Sequence, residues 1–132
     1  MYSILCWLGW VLFFCPDQPK TYVKNYFLNG KIASEGWICD NKKTDYWYFY
    51  RDNGLKKEEG HYANNLRNKW WIVYDVQEKI AAKSEYKADK LDGFTIIYQN
   101  GRPVRAEKYQ MGVQLKRWTS LAEFKKDNSE LK

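Results

Sequence analysis

The side chains with the most chemical capacity in this chain are one histidine, His61, three cysteines, Cys6, Cys15 and Cys39, and three carboxylates in similar local settings, Glu35, Glu59 and Glu107. A metal or acid-base centre needs partners that converge on it. None is suggested by spacing: the cysteines form no Cys-x-x-Cys or Cys/His cluster, and three of them cannot all pair within one chain. His61 falls where the neighbouring 24-residue units carry Trp37, Glu85 and Lys108, so the architecture does not require an imidazole there and an ordinary strand residue is expected. The carboxylates read as equivalent repeat positions spread along a sheet, exposed on their strands. No glycine-rich phosphate loop and no nucleophile-base pair is recognisable. The expectation is a chain with no catalytic residue, no metal site, no cofactor and no small-molecule substrate, hence not an enzyme.

What would position these residues is a repeated hairpin. Asp45 to Tyr62 reads as an aromatic strand, a polar turn ending Asn53-Gly54, and a return strand, because Asn-Gly tolerates the positive φ that hairpin turns need. Tyr26, Tyr50, Tyr74 and Tyr98 recur every 24 residues, and Gly30, Gly54 and Gly101 mark the turns that follow three of them. Self-similarity at a fixed period signals a repeat array. Asp40 to Thr44, Asn64 to Asn68 and Ala88 to Asp92 read as polar connectors. Pro103 lacks an amide hydrogen, which predicts that the last return strand starts late or lies on an edge.

The chain has 132 residues, room for one domain with a modest core, and an aromatic content of 18% that fits cross-strand packing in a β-rich sheet. Its formal net charge is +6, which favours an acidic partner surface. Residues 2 to 15 are apolar and uncharged, matching the length of a signal-peptide core rather than a bilayer span. Three readings stand open for this leader, residues 1–19: an export or lipoprotein-like signal, an uncleaved anchor, or an apolar lid folded onto the sheet. Residues 20–112 form the hairpin repeat domain. Residues 113–132 form a helical cap and tail, in which Leu115, Trp118, Leu121 and Phe124 recur at three-residue steps and Ser120 to Glu123 has the capping-box pattern.

Strand alternation puts Tyr46, Tyr48, Tyr50, Trp70, Ile72, Tyr74, Phe94, Ile96 and Tyr98 on one face, expected to be the core. The opposite face carries Trp47, Phe49, Trp71 and Val73, the candidate binding surface, since contiguous aromatic surface marks an interaction site unless the tail and leader cover it.

At its repeated aromatic-x-x-x-Tyr, Asn-Gly and Glu-Gly-x-Tyr pattern the chain resembles the MORN repeat in its bacterial variant form, and the antitoxin-like repeat proteins of the YwqK type. The matching positions are Tyr26, Asn29, Gly30, Glu35 and Gly36; Trp47, Tyr50, Asn53, Gly54, Glu59, Gly60 and Tyr62; Trp71, Tyr74 and Tyr86; and Gly93, Tyr98, Asn100, Gly101, Glu107 and Tyr109. The third unit departs with Gln77-Glu78 in place of Asn-Gly, and the glycine before the outgoing aromatic survives only at Gly93. The resemblance implies a mainly β fold, an elongated twisted antiparallel sheet of about four MORN-like hairpins with a short C-terminal helix, used for contact with proteins or membranes. No catalytic residue is carried over.

The leading expectation is therefore a non-enzymatic binding module, envelope- or membrane-associated, that meets a protein or an anionic membrane through its aromatic face and basic rim. The alternative is a cytosolic antitoxin-like protein that neutralises a toxin partner. Nucleic acid is disfavoured as a partner, because strands of repeat proteins carry aromatics for packing anyway.

Overall fold

The computed structural model describes residues 18–130. The leader readings, Cys6 and Cys15 fall outside the described residues. The strands are β1 (Thr21–Tyr26), β2 (Ile32–Cys39), β3 (Lys42–Tyr50), β4 (Lys56–Ala63), β5 (Leu66–Tyr74), β6 (Ile80–Lys87), β7 (Lys90–Gln99), β8 (Arg102–Gln110) and β9 (Val113–Trp118); helix α1 (Leu121–Asp127) follows. The fold is mainly β: a nine-stranded open sheet in which chain order is spatial order and every pairing is antiparallel. Apart from ladder neighbours, the elements in substantial contact are α1 with β8 and β9, so no described element is stacked on β1 to β6.

Two kinds of turn alternate along the two rims. Phe27 to Lys31 and Arg51 to Leu55 close β1-β2 and β3-β4 with Gly30 and Gly54 left-handed (φ 83° and 89°), the conformation a side chain would oppose. The third turn keeps this geometry without Asn-Gly. Glu78 adopts φ 62°, and Asp75 supplies the compensation, its Oδ1 accepting from the amides of Gln77 (2.8 Å) and Lys79 (2.9 Å). The fourth turn is one residue shorter, with Asn100 and Gly101 both at positive φ, as a type I′ turn requires. On the other rim, the expected connectors are tight turns instead: Asp40-Asn41, Asn64-Asn65, Ala88-Asp89 and Met111-Gly112 all have positive φ at both positions, so β3, β5 and β7 start at Lys42, Leu66 and Lys90.

Each of the repeated tyrosines marks a β-bulge. The register shifts at Asn25/Tyr26, Phe49/Tyr50, Val73/Tyr74 and Ile97/Tyr98. Pro103 sits opposite Tyr98 at the last of these, inside β8 rather than at a delayed start. Strand β8 is also interior, but β9 pairs only with Ala106 to Gln110, so the missing amide of Pro103 faces no partner strand on that side.

The tail differs from the expected helical cap. Leu115 and Trp118 belong to a ninth strand, and only Leu121 and Phe124 lie on the helix. Six exposed-to-buried residues of β9 continue the ladder because Met111-Gly112 closes another tight turn, which holds the chain extended. The cap itself forms as expected: Ser120 Oγ accepts from the Glu123 amide (3.2 Å), while the Glu123 carboxylate accepts from the Thr119 amide (3.0 Å). Phe124 meets Trp118 and Phe94 edge-on, covering one end of the sheet.

Sidedness is opposite to expectation. Trp47 and Trp71 are each 1% exposed, the largest buried side chains, and their indoles lie across Gly36 and Gly60 on the preceding strand. A Cβ at Gly60 would stand 2.4 Å from the Trp71 ring. Gly60→Ala is therefore expected to lower stability by about 2 kcal/mol through overpacking, read as a lower urea midpoint at unchanged slope. An unchanged midpoint would show that the indole is not wedged on this strand.

Candidate binding face

Ladder partners share a face, and two rows run across the sheet. The first is Gly36, Trp47, Gly60, Trp71, Ser84, Thr95 and Glu107. The second is Lys24, Glu35, Tyr48, Glu59, Ile72, Lys83, Ile96, Ala106 and Trp118. Glu107 thus takes the place of Gly36 and Gly60, not that of Glu35 and Glu59, and its side chain is on the opposite face.

The Trp47 face is where the predicted surface, Trp47, Phe49, Trp71 and Val73, was placed. The four do share that face, yet they make an interior. Phe49 lies 6.1 Å from each tryptophan ring, and Tyr62 meets Trp71 edge-on at 5.0 Å. Lys43 stands over Trp47, Phe49 and Tyr62, and Arg67 stands 4.3 Å from the Trp71 ring while pairing with Glu58 at 3.2 Å. These cations are stacked on the rings rather than lining a basic rim. The indole N–H groups are spent as well: Trp47 donates to the Trp37 carbonyl (2.8 Å) and Trp71 to the His61 carbonyl (2.9 Å). Of the predicted surface only Val73 is appreciably exposed, at 36%. The reason is the glycine eleven residues before each tryptophan, which leaves room for the ring to lie flat.

The Tyr48 face is the open one over β1 to β6. Tyr22, Trp37 and Trp70 are each 40% exposed there, although alternation assigns Trp70 to the core. Between them runs a ladder of phenols and carboxylates. Tyr50 donates to Glu35 (2.7 Å) and Tyr46 to Glu59 (2.9 Å), and Glu59 also pairs with Lys56 at 3.0 Å. Burial, reinforced by the glutamates, pushes the Tyr46 and Tyr50 hydroxyls above their ordinary range, so both act as fixed donors. The hydrogen bond that Lys56 donates to Glu59 raises the lysine, whose ammonium lies over the rings of Tyr48 and Tyr74. Two strands on, Lys83 takes the carboxylate's place and stands over Tyr98. Acid and base therefore alternate along this row, as Lys24, Glu35, Glu59 and Lys83.

His61 lies on this face, edge-on to Tyr46 at 4.7 Å, with its Nδ1 buried and without a hydrogen-bond partner. Among the described residues no group of three or more His, Cys, Asp or Glu could hold a metal ion. Cys39, 5% exposed at the end of β2, is disulfide-bonded. The sequence signal that could have identified the faces was the pairing of Gly36 with Trp47 and of Gly60 with Trp71, since a glycine opposite an indole marks the side where the ring is folded down. No protein-family model matches the chain, and no curated protein matches it.

Burial and the nearby Lys69 lower the His61 imidazole from its ordinary 6.5, so the folded chain binds this proton less readily than the unfolded one. Stability is expected to be intact above about pH 6.5 and to decline as pH falls from there towards the lower folded value. Urea midpoints between pH 8 and pH 5 measure this; His61→Phe should flatten the slope, and an identical slope would place the titration elsewhere.

Proposed function

We propose that this chain is a non-enzymatic binding module that holds a protein partner on its Tyr48 face and works at the cell envelope. The observation that carries the reading is the row of Tyr22, Trp37 and Trp70, partly exposed on a face that no described element covers. Exposed Trp and Tyr provide large contact area at low entropic cost, and they are the usual anchors of protein contacts. The alternation of Lys24, Lys56 and Lys83 with Glu35, Glu59 and Glu85 supports a protein over an anionic membrane, because a surface of balanced charge gains little from a polyanion. Among the described residues no helix is long and apolar enough to cross a membrane.

The test replaces Tyr22 and Trp37 together with serine. The two rings touch edge-on at 5.1 Å, a contact worth about 1 kcal/mol beyond their buried area, and an unchanged circular dichroism spectrum is expected because neither ring belongs to the Trp47 and Trp71 interior. Immobilised native chain should retain a discrete protein from extracts of the source cells, identified by mass spectrometry, that the double variant fails to retain. The same protein held equally by both would remove this face from the interaction. Capture of phosphatidylserine vesicles, lost in the variant, would replace the protein with a membrane.

A further inference from the structure

Trp70 differs from the other described tryptophans, with its ring stacked on no other and its N–H unpaired, whereas Trp47, Trp71 and Trp118 each spend theirs and Trp37 lies against Tyr22. It borders an open cleft of about 420 Å³ together with Asn68, Lys69, Glu85, Lys87 and Asp92. The depression is shallow and open to solvent, so it would cover one face of a ligand and leave the other in water.

The cleft is pre-formed. Glu85 stands opposite Trp70 in the ladder, and its Oε2 is anchored by the Phe94 amide at 2.8 Å. The anchoring depends on Gly93, where a Cβ would fall on that same oxygen. Asp92 is anchored too, its Oδ1 accepting from the Met111 amide at 3.1 Å. Each carboxylate thus keeps its second oxygen for a ligand. Lys69 holds a left-handed backbone (φ 59°) at the bulge just before Trp70, as Asp45 does at the equivalent place one hairpin earlier.

We propose that this cleft binds a neutral carbohydrate, one pyranose ring lying on the Trp70 indole with its hydroxyl groups taken by Asn68, Glu85, Asp92 and the two lysines. The composition selects this class. Two ammonium groups against two carboxylates leave no net charge to attract a polyanion or a cation. The ring of unpaired donors and acceptors is too polar for an acyl chain, which would leave them desolvated without partners. A pyranose has what the site offers room for: an apolar C–H face for the indole and equatorial hydroxyls, each donor and acceptor, around its edge. The site involves side chains of β5 to β7; it shares Trp70 with the exposed aromatic row of the proposed protein contact but uses neither Tyr22 nor Trp37.

Isothermal titration of the full chain with cellohexaose, chitohexaose and maltohexaose, followed also by tryptophan fluorescence, tests the assignment. Saturable binding of at least one is expected, weakened about tenfold or more by Trp70→Ala and weakened also by Asn68→Ala, a variant that leaves the aromatic packing intact. Trp37→Ala should leave the affinity within about twofold. Absence of binding by all three oligosaccharides, affinity unaltered in both Trp70→Ala and Asn68→Ala, or heparin binding lost in Trp70→Ala would overturn it.

Discussion

The structure depends on an indole laid flat over a glycine. A single-layer sheet has no second layer to supply a core, so it must build one out of its own surface, and a large planar ring does this best when the neighbouring strand removes its side chain to receive it. Gly36 and Gly60 are those absences, and Trp47 and Trp71 are the rings that fill them. Each ring also donates to the carbonyl just after its glycine, where the ladder register shifts and the backbone would otherwise lack a partner. Where the pair becomes Ser84 and Thr95, two hydroxyls hydrogen-bonded at 3.1 Å stand in for it.

That contact has consequences for the rest of the sheet. To bring the tryptophan over the glycine the outgoing strand must bulge, and the residue two before it turns left-handed at Asp45, Lys69 and Gly93 alike. Adjacent tight turns are then stitched together: Asn65 donates to the Lys43 carbonyl, Asp89 to that of Arg67, and Gly112 to that of Leu91. These bonds link each hairpin to the one before it, so the array is coupled along its rim as well as through its ladder. Short-range coupling of this kind is how repeat sheets gain stability from units that would be marginal alone.

With the tryptophans turned inward, the other face is left to the phenols. Its rings are held upright by hydrogen bonds to Glu35 and Glu59 and by the Lys56 ammonium rather than by a covering layer, which is why it stays partly open over β1 to β6. At the far end the repeat pattern runs out, Ala106 replaces the carboxylate, and α1 closes over Phe94 and Trp118. The boundary between covered and open surface thus follows the change from polar to apolar side chains along one row of the ladder.

The sequence by itself determined the β architecture, the tyrosine period and the capped terminal helix, because alternation, turn residues and capping boxes are local signals that act within a few residues. It even carried the third turn, although the Asp75 that replaces the missing Asn-Gly was not recognised as a turn-maker. The ninth strand was hidden because Leu115, Trp118, Leu121 and Phe124 satisfy a helical spacing that only pairing with β8 overrides. Which face is buried was decided by tertiary structure alone. Alternation separates Trp47 from Tyr48 but gives neither side a preference, and the choice rests on contacts between residues eleven apart in sequence, where a missing side chain on one strand makes room for a ring on the next.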